Sequence, residues 1–248
     1  MASEPITNFA GANGSTFTVD GYNAQAENAN QAWSLTRPDA NTLQFSVRSG
    51  DTWRTGGYTD SGANRSEIQF GQQYSAGTQL NLSETITVQP GPTNTASWLD
   101  LTQLHATTNV SPTYSPFVLG VDKSDHLVVI LQHPNQSANT LVYRSPDPIV
   151  RGQPMDFDFQ VIMGPTGGGY VGVWKDGTLI VDYHGPVGAT NSYYYWKIGV
   201  YRGSAPEIMT ADFSNVRITT GPQAAPTSGM SSSSSATTTT SGGDRLKR

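Results

Sequence analysis

Tyr193-Tyr194-Tyr195-Trp196-Lys197-Ile198-Gly199-Val200-Tyr201-Arg202 has the two-residue alternation of a β-strand. One face carries Trp196, Ile198 and Val200, which suits a core. The other carries Tyr193, Tyr195, Lys197 and Tyr201, with Gly199 leaving a gap in the row. An amphipathic strand with a wet outer face would explain the pattern, because antiparallel sheets are commonly polar on one side. A lysine among three phenols also suits the floor of a groove for a polar, ring-shaped polymer.

Strand patterns continue outward from this stretch. Leu43, Phe45 and Val47 alternate with Gln44, Ser46 and Arg48. Met155, Phe157, Phe159, Val161 and Met163 alternate with Asp156, Asp158, Gln160 and Ile162. Asp176-Gly177 joins two apolar runs and predicts a tight hairpin. Further strands are expected at 15–19, 65–70, 78–88, 97–105, 117–121, 127–132, 141–144 and 209–219. No long stretch has a helical period, so the chain is expected to be an all-β sandwich of two sheets. Ser49–Asn64 is a Gly-rich loop with Trp53, Arg54 and Tyr58, residues suited to a lid over a groove.

The chain has 248 residues, and one large β-domain over 1–220 accounts for most of them. From 221 to 248 the composition turns to Ser, Thr, Gly, Ala and Pro, which reads as a disordered linker or tail. There is no cysteine, which excludes disulfides, thiol catalysis and thiolate zinc sites. The formal net charge of −5, with no Lys/Arg run, shows no nucleic-acid footprint. No apolar run is long enough for a membrane helix. Met1-Ala2-Ser3-Glu4 opens without a secretory leader, so a secreted protein would have lost its leader before this start. A monomer is expected. Asp122 and Asp125 could hold a structural calcium ion, although a hairpin turn explains them more simply.

Two more strands carry candidate chemistry. In Asn64-Arg65-Ser66-Glu67-Ile68-Gln69-Phe70, alternation puts Arg65, Glu67 and Gln69 on one face. In Trp98-Leu99-Asp100-Leu101-Thr102-Gln103-Leu104-His105, Gln103 and His105 share a face, about 7 Å apart along a strand. Each pair alone is a common surface ion pair or sheet hydrogen bond.

Arg-Ser-Glu-Ile, Gln-Leu-His and Tyr-Trp-Lys-Ile-Gly-Val-Tyr-Arg, in this order, resemble the three motif strands of jelly-roll polysaccharide lyases. The resemblance covers most of residues 40–220 and includes alginate lyases of family 7. Trp196 before Lys197, Arg202 after Tyr201 and the Ser115-Pro116-Phe117 strand start look closer to glucuronan lyases (family 20) and the heparin lyase I group. It implies a β-jelly-roll sandwich of two antiparallel sheets with a concave substrate groove. It implies an endo-acting, cofactor-free lyase working on an anionic polysaccharide outside the cell. Family 7 enzymes usually follow the final Tyr with a short polar residue and Gln, where this chain has Arg202-Gly203. Heparin lyases are longer and more basic. Unsulfated β-1,4-glucuronan is therefore the expected substrate, with polymannuronate as the alternative. A non-catalytic carbohydrate-binding sandwich is the competing function, and it would have no need of a base.

Such a lyase removes the proton alpha to a uronic carboxylate and expels the 4-linked oxygen. Arg65 would offer a fork of donors to that carboxylate and Gln103 an amide donor. Tyr201 would carry the proton, with Lys197, Arg65 or a charged His105 lowering its pKa. In glucuronate or mannuronate, H5 and O4 share a side, so Tyr201 could serve as base and then acid. For guluronate a second group is needed, and His105 is the natural one, so His105 is either the base or a partner that helps neutralise the carboxylate and tune Tyr201. Lys197, Glu67, Gln69, Tyr195, Arg202, Trp53 and Arg54 are the expected substrate contacts.

Overall fold

The computed structural model describes residues 4–107, 115–132 and 140–223, so most of the expected tail, 224–248, lies outside the described residues. The strands run in chain order as β1 (Thr16–Val19), β2 (Tyr22–Asn28), β3 (Leu35–Asp39), β4 (Thr42–Val47), β5 (Arg54–Thr55) and β6 (Tyr58–Thr59). Next come β7 (Ala63–Phe70), β8 (Tyr74–Ser75), β9 (Gln79–Val88), β10 (Leu99–Ala106), β11 (Phe117–Val121) and β12 (His126–Leu131). The last are β13 (Thr140–Pro148), β14 (Met155–Ile162), β15 (Gly164–Lys175), β16 (Thr178–Val187), β17 (Tyr193–Gly203) and β18 (Met209–Thr220).

They form two large antiparallel sheets. One has the order β1-β2-β7-β17-β10-β11-β12-β13, with β8 also pairing with β17. The other has the order β16-β15-β14-β9-β18-β4-β3, and β5 and β6 make a separate hairpin. The fold is thus the expected jelly-roll sandwich. Apolar alternation explains why the sheets stack. Trp196 and Ile198 of β17 are buried, and Trp196 packs on Phe159 of the opposite sheet with ring centroids 5.6 Å apart. Burying each such side chain contributes roughly 1.5–3 kcal/mol.

Strand order makes the site. β17 lies between β7 and β10, so the three motif strands are neighbours although far apart in sequence. In register, Tyr201 faces Arg65 and Asp100, Lys197 faces Gln69 and Gln103, and Tyr195 faces His105. β2 adds Glu27 opposite Glu67 on the far side of β7. β2 has no counterpart among the expected strands, and neither do β3, β5, β6 and β8.

The turn at 122–125 gives no sign of a calcium site. Asp125 accepts two hydrogen bonds from Arg151, at 2.8 and 2.9 Å, and Asp122 accepts one from Arg144 at 2.8 Å. Among the described residues no group of three or more metal-ligating side chains occurs.

Candidate active site

A cavity of about 660 Å³ opens over the centre of the larger sheet. Tyr201, His105, Gln103, Arg65, Lys197, Gln69, Tyr195 and Trp53 all line it. So does Tyr58, expected as part of a lid, and so do Glu27, Trp98, Asp100 and Ser115, which were not among the expected contacts.

Its floor is a charged network. Arg65 Nη1 donates to Glu67 at 2.7 Å and Glu27 at 3.2 Å, and its Nε donates to Asp60 at 2.7 Å. Lys197 Nζ reaches Glu27 at 2.6 Å and Glu67 at 3.0 Å. Gln103 Nε2 donates to Glu67 at 2.5 Å, while Ser115 Oγ donates to Gln103 Oε1. A carboxylate only accepts, so these partners fix the Gln103 amide orientation.

Burial works against the charge of Arg65, but Glu67, Asp60 and Glu27 outweigh it and hold the guanidinium firmly protonated. Burial likewise works against ionised Glu67, but Lys197 and Arg65 keep its carboxyl below the usual range. Donors remain after this pairing. Arg65 Nη2 has no partner among the described residues, and Lys197 and Gln103 each make fewer bonds than they have N–H groups.

The proton-handling groups sit in contrasting states. The Tyr201 hydroxyl donates to Asp60 at 3.1 Å, and its ring lies under the Arg65 guanidinium at 3.8 Å. The expected lowering of its pKa is reversed. Burial pushes the phenol upward and Arg65 opposes, but Asp60 and Glu67 add to the rise. Tyr201 therefore rests protonated. His105 is pushed down to about 4, first by burial and then by Lys197, so it rests neutral. Its Nδ1 lies 2.9 Å from the Ala106 carbonyl, which can only accept, and 2.9 Å from the Tyr195 hydroxyl, which can donate or accept. A proton on Nδ1, shared between these two oxygens, satisfies the carbonyl and leaves the Nε2 lone pair available. Tyr195 stacks on the imidazole at 5.2 Å.

Three expected contacts do not reach the cavity. Arg202 is 0% exposed and donates to Glu207 at 2.8 Å, because alternation turns it away from Tyr201. Glu67 is 1% exposed and lies beneath Arg65 and Lys197, where it holds these two cations and does not line the cavity. Arg54 sits on the β5–β6 hairpin and lines a separate recess with Asn13 and Asn28. Its hairpin neighbours Trp53 and Tyr58 do line the cavity, their rings 5.8 Å apart. Asp60 and Glu27 were missed altogether. Asp60 lies in a polar loop, and Glu27 lies in a segment with little apolar alternation.

The polysaccharide lyase family model matches residues 10–221. Among curated protein sequences, none matches the chain. Solved structures share the fold. The endo-β-1,4-glucuronan lyase of the fungus Trichoderma reesei has a TM-score of 0.58 at 11% identity, covering 79% of this chain and 86% of that one. An alginate lyase of Pseudomonas aeruginosa has a TM-score of 0.56 at 18% identity, covering 78% and 88%. Alginate lyase Aly36B, in complex with an alginate trisaccharide, has a TM-score of 0.62 at 13% identity, covering 89% and 99%.

Proposed function

Because the chain belongs to the polysaccharide lyase family, we propose that it cleaves a 4-linked polyuronide within the chain by β-elimination, with unsulfated β-1,4-glucuronan as its substrate. One observation carries this reading. Spare donors on Arg65, Lys197 and Gln103 line the same cavity as a protonated phenol and a neutral imidazole. The donors suit the carboxylate of the reacting unit, whose negative charge grows as the C5 proton leaves. Tyr201 suits the donor that protonates the departing O4. In glucuronan H5 and O4 share a side, so Tyr201 can take up H5 as it releases its own proton to O4. The Nε2 of His105 suits the proton acceptor where the two lie on opposite faces, as in guluronate. The C5–H and C4–O4 bonds break, a C4=C5 double bond forms, and no electrons leave the substrate. The size of such a polymer supports an extracellular place of action.

The choice of glucuronan is supported by Trp196 and Arg202 flanking the motif and by the net negative charge, which disfavours a sulfated polymer. The test is to follow ultraviolet absorbance of unsaturated uronate on polyglucuronate, polymannuronate, hyaluronan and heparin. Polyglucuronate should give the fastest rise, and no rise on any of the four would rule out a polyuronide lyase. Tyr201→Phe should lower kcat by about 10²–10⁴-fold while binding is retained. A near-normal rate would remove Tyr201 from proton transfer.

A further inference from the structure

We propose that Asp100 is a further substrate-contacting residue, its carboxyl group hydrogen-bonding the carboxylate of the uronate unit held over Tyr201. The proposal rests on the lyase reading and adds a residue to the same site. Position carries it first. Asp100 lines the cavity and is the register partner of Tyr201 across β10 and β17. Opposed residues on one face of an antiparallel pair have Cβ atoms about 5 Å apart. His105 instead pairs with Tyr195, six residues from Tyr201 along β17. Asp100 is thus closer in register than His105 to the proton-carrying phenol.

Local backbone geometry carries it second. Thr102 and Leu104 point into the core, and strict alternation would send Asp100 there with them. The ladder is irregular between Asp100 and Thr102 on both sides of β10, and Asp100 comes out on the cavity side. Irregularities of this kind re-aim a side chain next to active sites.

Lack of a partner carries it third. Among the described residues the Asp100 carboxyl makes no hydrogen bond or ion pair. Glu27, Asp60 and Glu67 each hold a cation. A half-buried carboxyl left open toward the cavity, within the field of two cations, has room for a ligand.

The groups facing it are Arg65 and Glu67 on β7 and Tyr201 and Lys197 on β17, while β11 presents Gly120 opposite. Burial pushes its carboxyl up to about 8; Glu67 adds to the rise, and Arg65 and Lys197 oppose it. Near neutrality Asp100 is a carboxylic acid and can donate its proton in a hydrogen bond to a uronate. Once ionised it would repel the same group.

The experiment is a pH profile of kcat/KM on polyglucuronate for wild type, Asp100→Asn and Asp100→Ala, with melting curves to confirm folding. Wild type should lose activity as pH rises through about 8. Asp100→Ala should lose about 10–100-fold at pH 7, as one donor to charge is removed. Asp100→Asn keeps an N–H donor, so it should retain more activity and lose the fall near pH 8. If folded Asp100→Ala stays within about two-fold of wild type, or if Asp100→Asn keeps the same alkaline fall, the Asp100 proposal is overturned and the lyase reading stands. Wild type inactive on every polyuronide would remove the lyase reading and this proposal together.

Discussion

Gly199 has a φ of 141°, a conformation that residues with a side chain rarely adopt. A Cβ there would sit 2.3 Å from the Ser66 carbonyl oxygen and 2.6 Å from the Glu67 Cα. The missing side chain therefore does more than leave a gap between Lys197 and Tyr201. It lets β7 approach closely enough for Arg65 and Glu67 to join the row. Gly199→Ala should push β7 away, lowering the melting temperature by several degrees and kcat/KM at least ten-fold. Wild-type melting and turnover would show that the close approach is dispensable. Residue by residue, strand parity revealed much of the cavity lining. Gln69, Gln103, His105, Tyr195, Lys197 and Tyr201 needed nothing more than alternation and a neighbouring strand. Parity could not reveal depth. Glu67 shares a face with Arg65 yet lies beneath it, because two long cations close over a shorter carboxylate. Nor could it reveal the sign of the Tyr201 shift, since Asp60 arrives from a loop with no periodicity.

At the scale of elements, the long apolar strands were legible and the short polar ones were not. β2, Tyr22-Asn23-Ala24-Gln25-Ala26-Glu27-Asn28, has only Ala24 and Ala26 as apolar residues at its buried positions, the others being Glu27 and Asn28. Such small side chains give little hydrophobic contrast, so tertiary pairing with β7 decides its conformation. Missing β2 meant missing Glu27, which bridges Lys197 and Arg65. The irregularity in β10 hid Asp100 in the same way, because a bulge changes parity without leaving a composition mark. The Asp176-Gly177 hairpin was legible because both residues take positive φ, at 50° and 74°, as the two-residue turn requires.

For the whole molecule, the two sheets are joined by a buried acid as well as by aromatic packing. Glu84 on β9 accepts a hydrogen bond from the Thr102 hydroxyl of the opposite sheet, and its other oxygen has no partner among the described residues. Burial pushes this carboxyl up to about 8, with the Thr102 bond opposing. The folded state then holds a proton that the unfolded chain releases near pH 4.5. Stability should therefore fall as pH rises from about 4.5 to 8, by up to ~1.4 kcal/mol per pH unit from this group. Melting curves from pH 5 to 9 should show that contribution beside those of Asp100, of the same sign, and His105, of the opposite sign, and Glu84→Gln should remove its share; an unchanged slope would assign it to other groups. The cavity floor has its own consequence at this scale. Arg65 and Lys197 are matched by Glu27, Asp60 and Glu67, on a chain of net charge −5. Seen from more than a Debye length away, about 8 Å at physiological ionic strength, the cleft has no surplus of positive charge to draw in a polyanion. For the proposed polyuronide, encounter is then slowed by mutual repulsion, and the donors act only after contact. Moderate sodium chloride should raise kcat/KM, where a positively charged cleft would lose it steeply. The enzyme would then work best in salty surroundings, with ions in solution supplying the charge balance its own surface lacks.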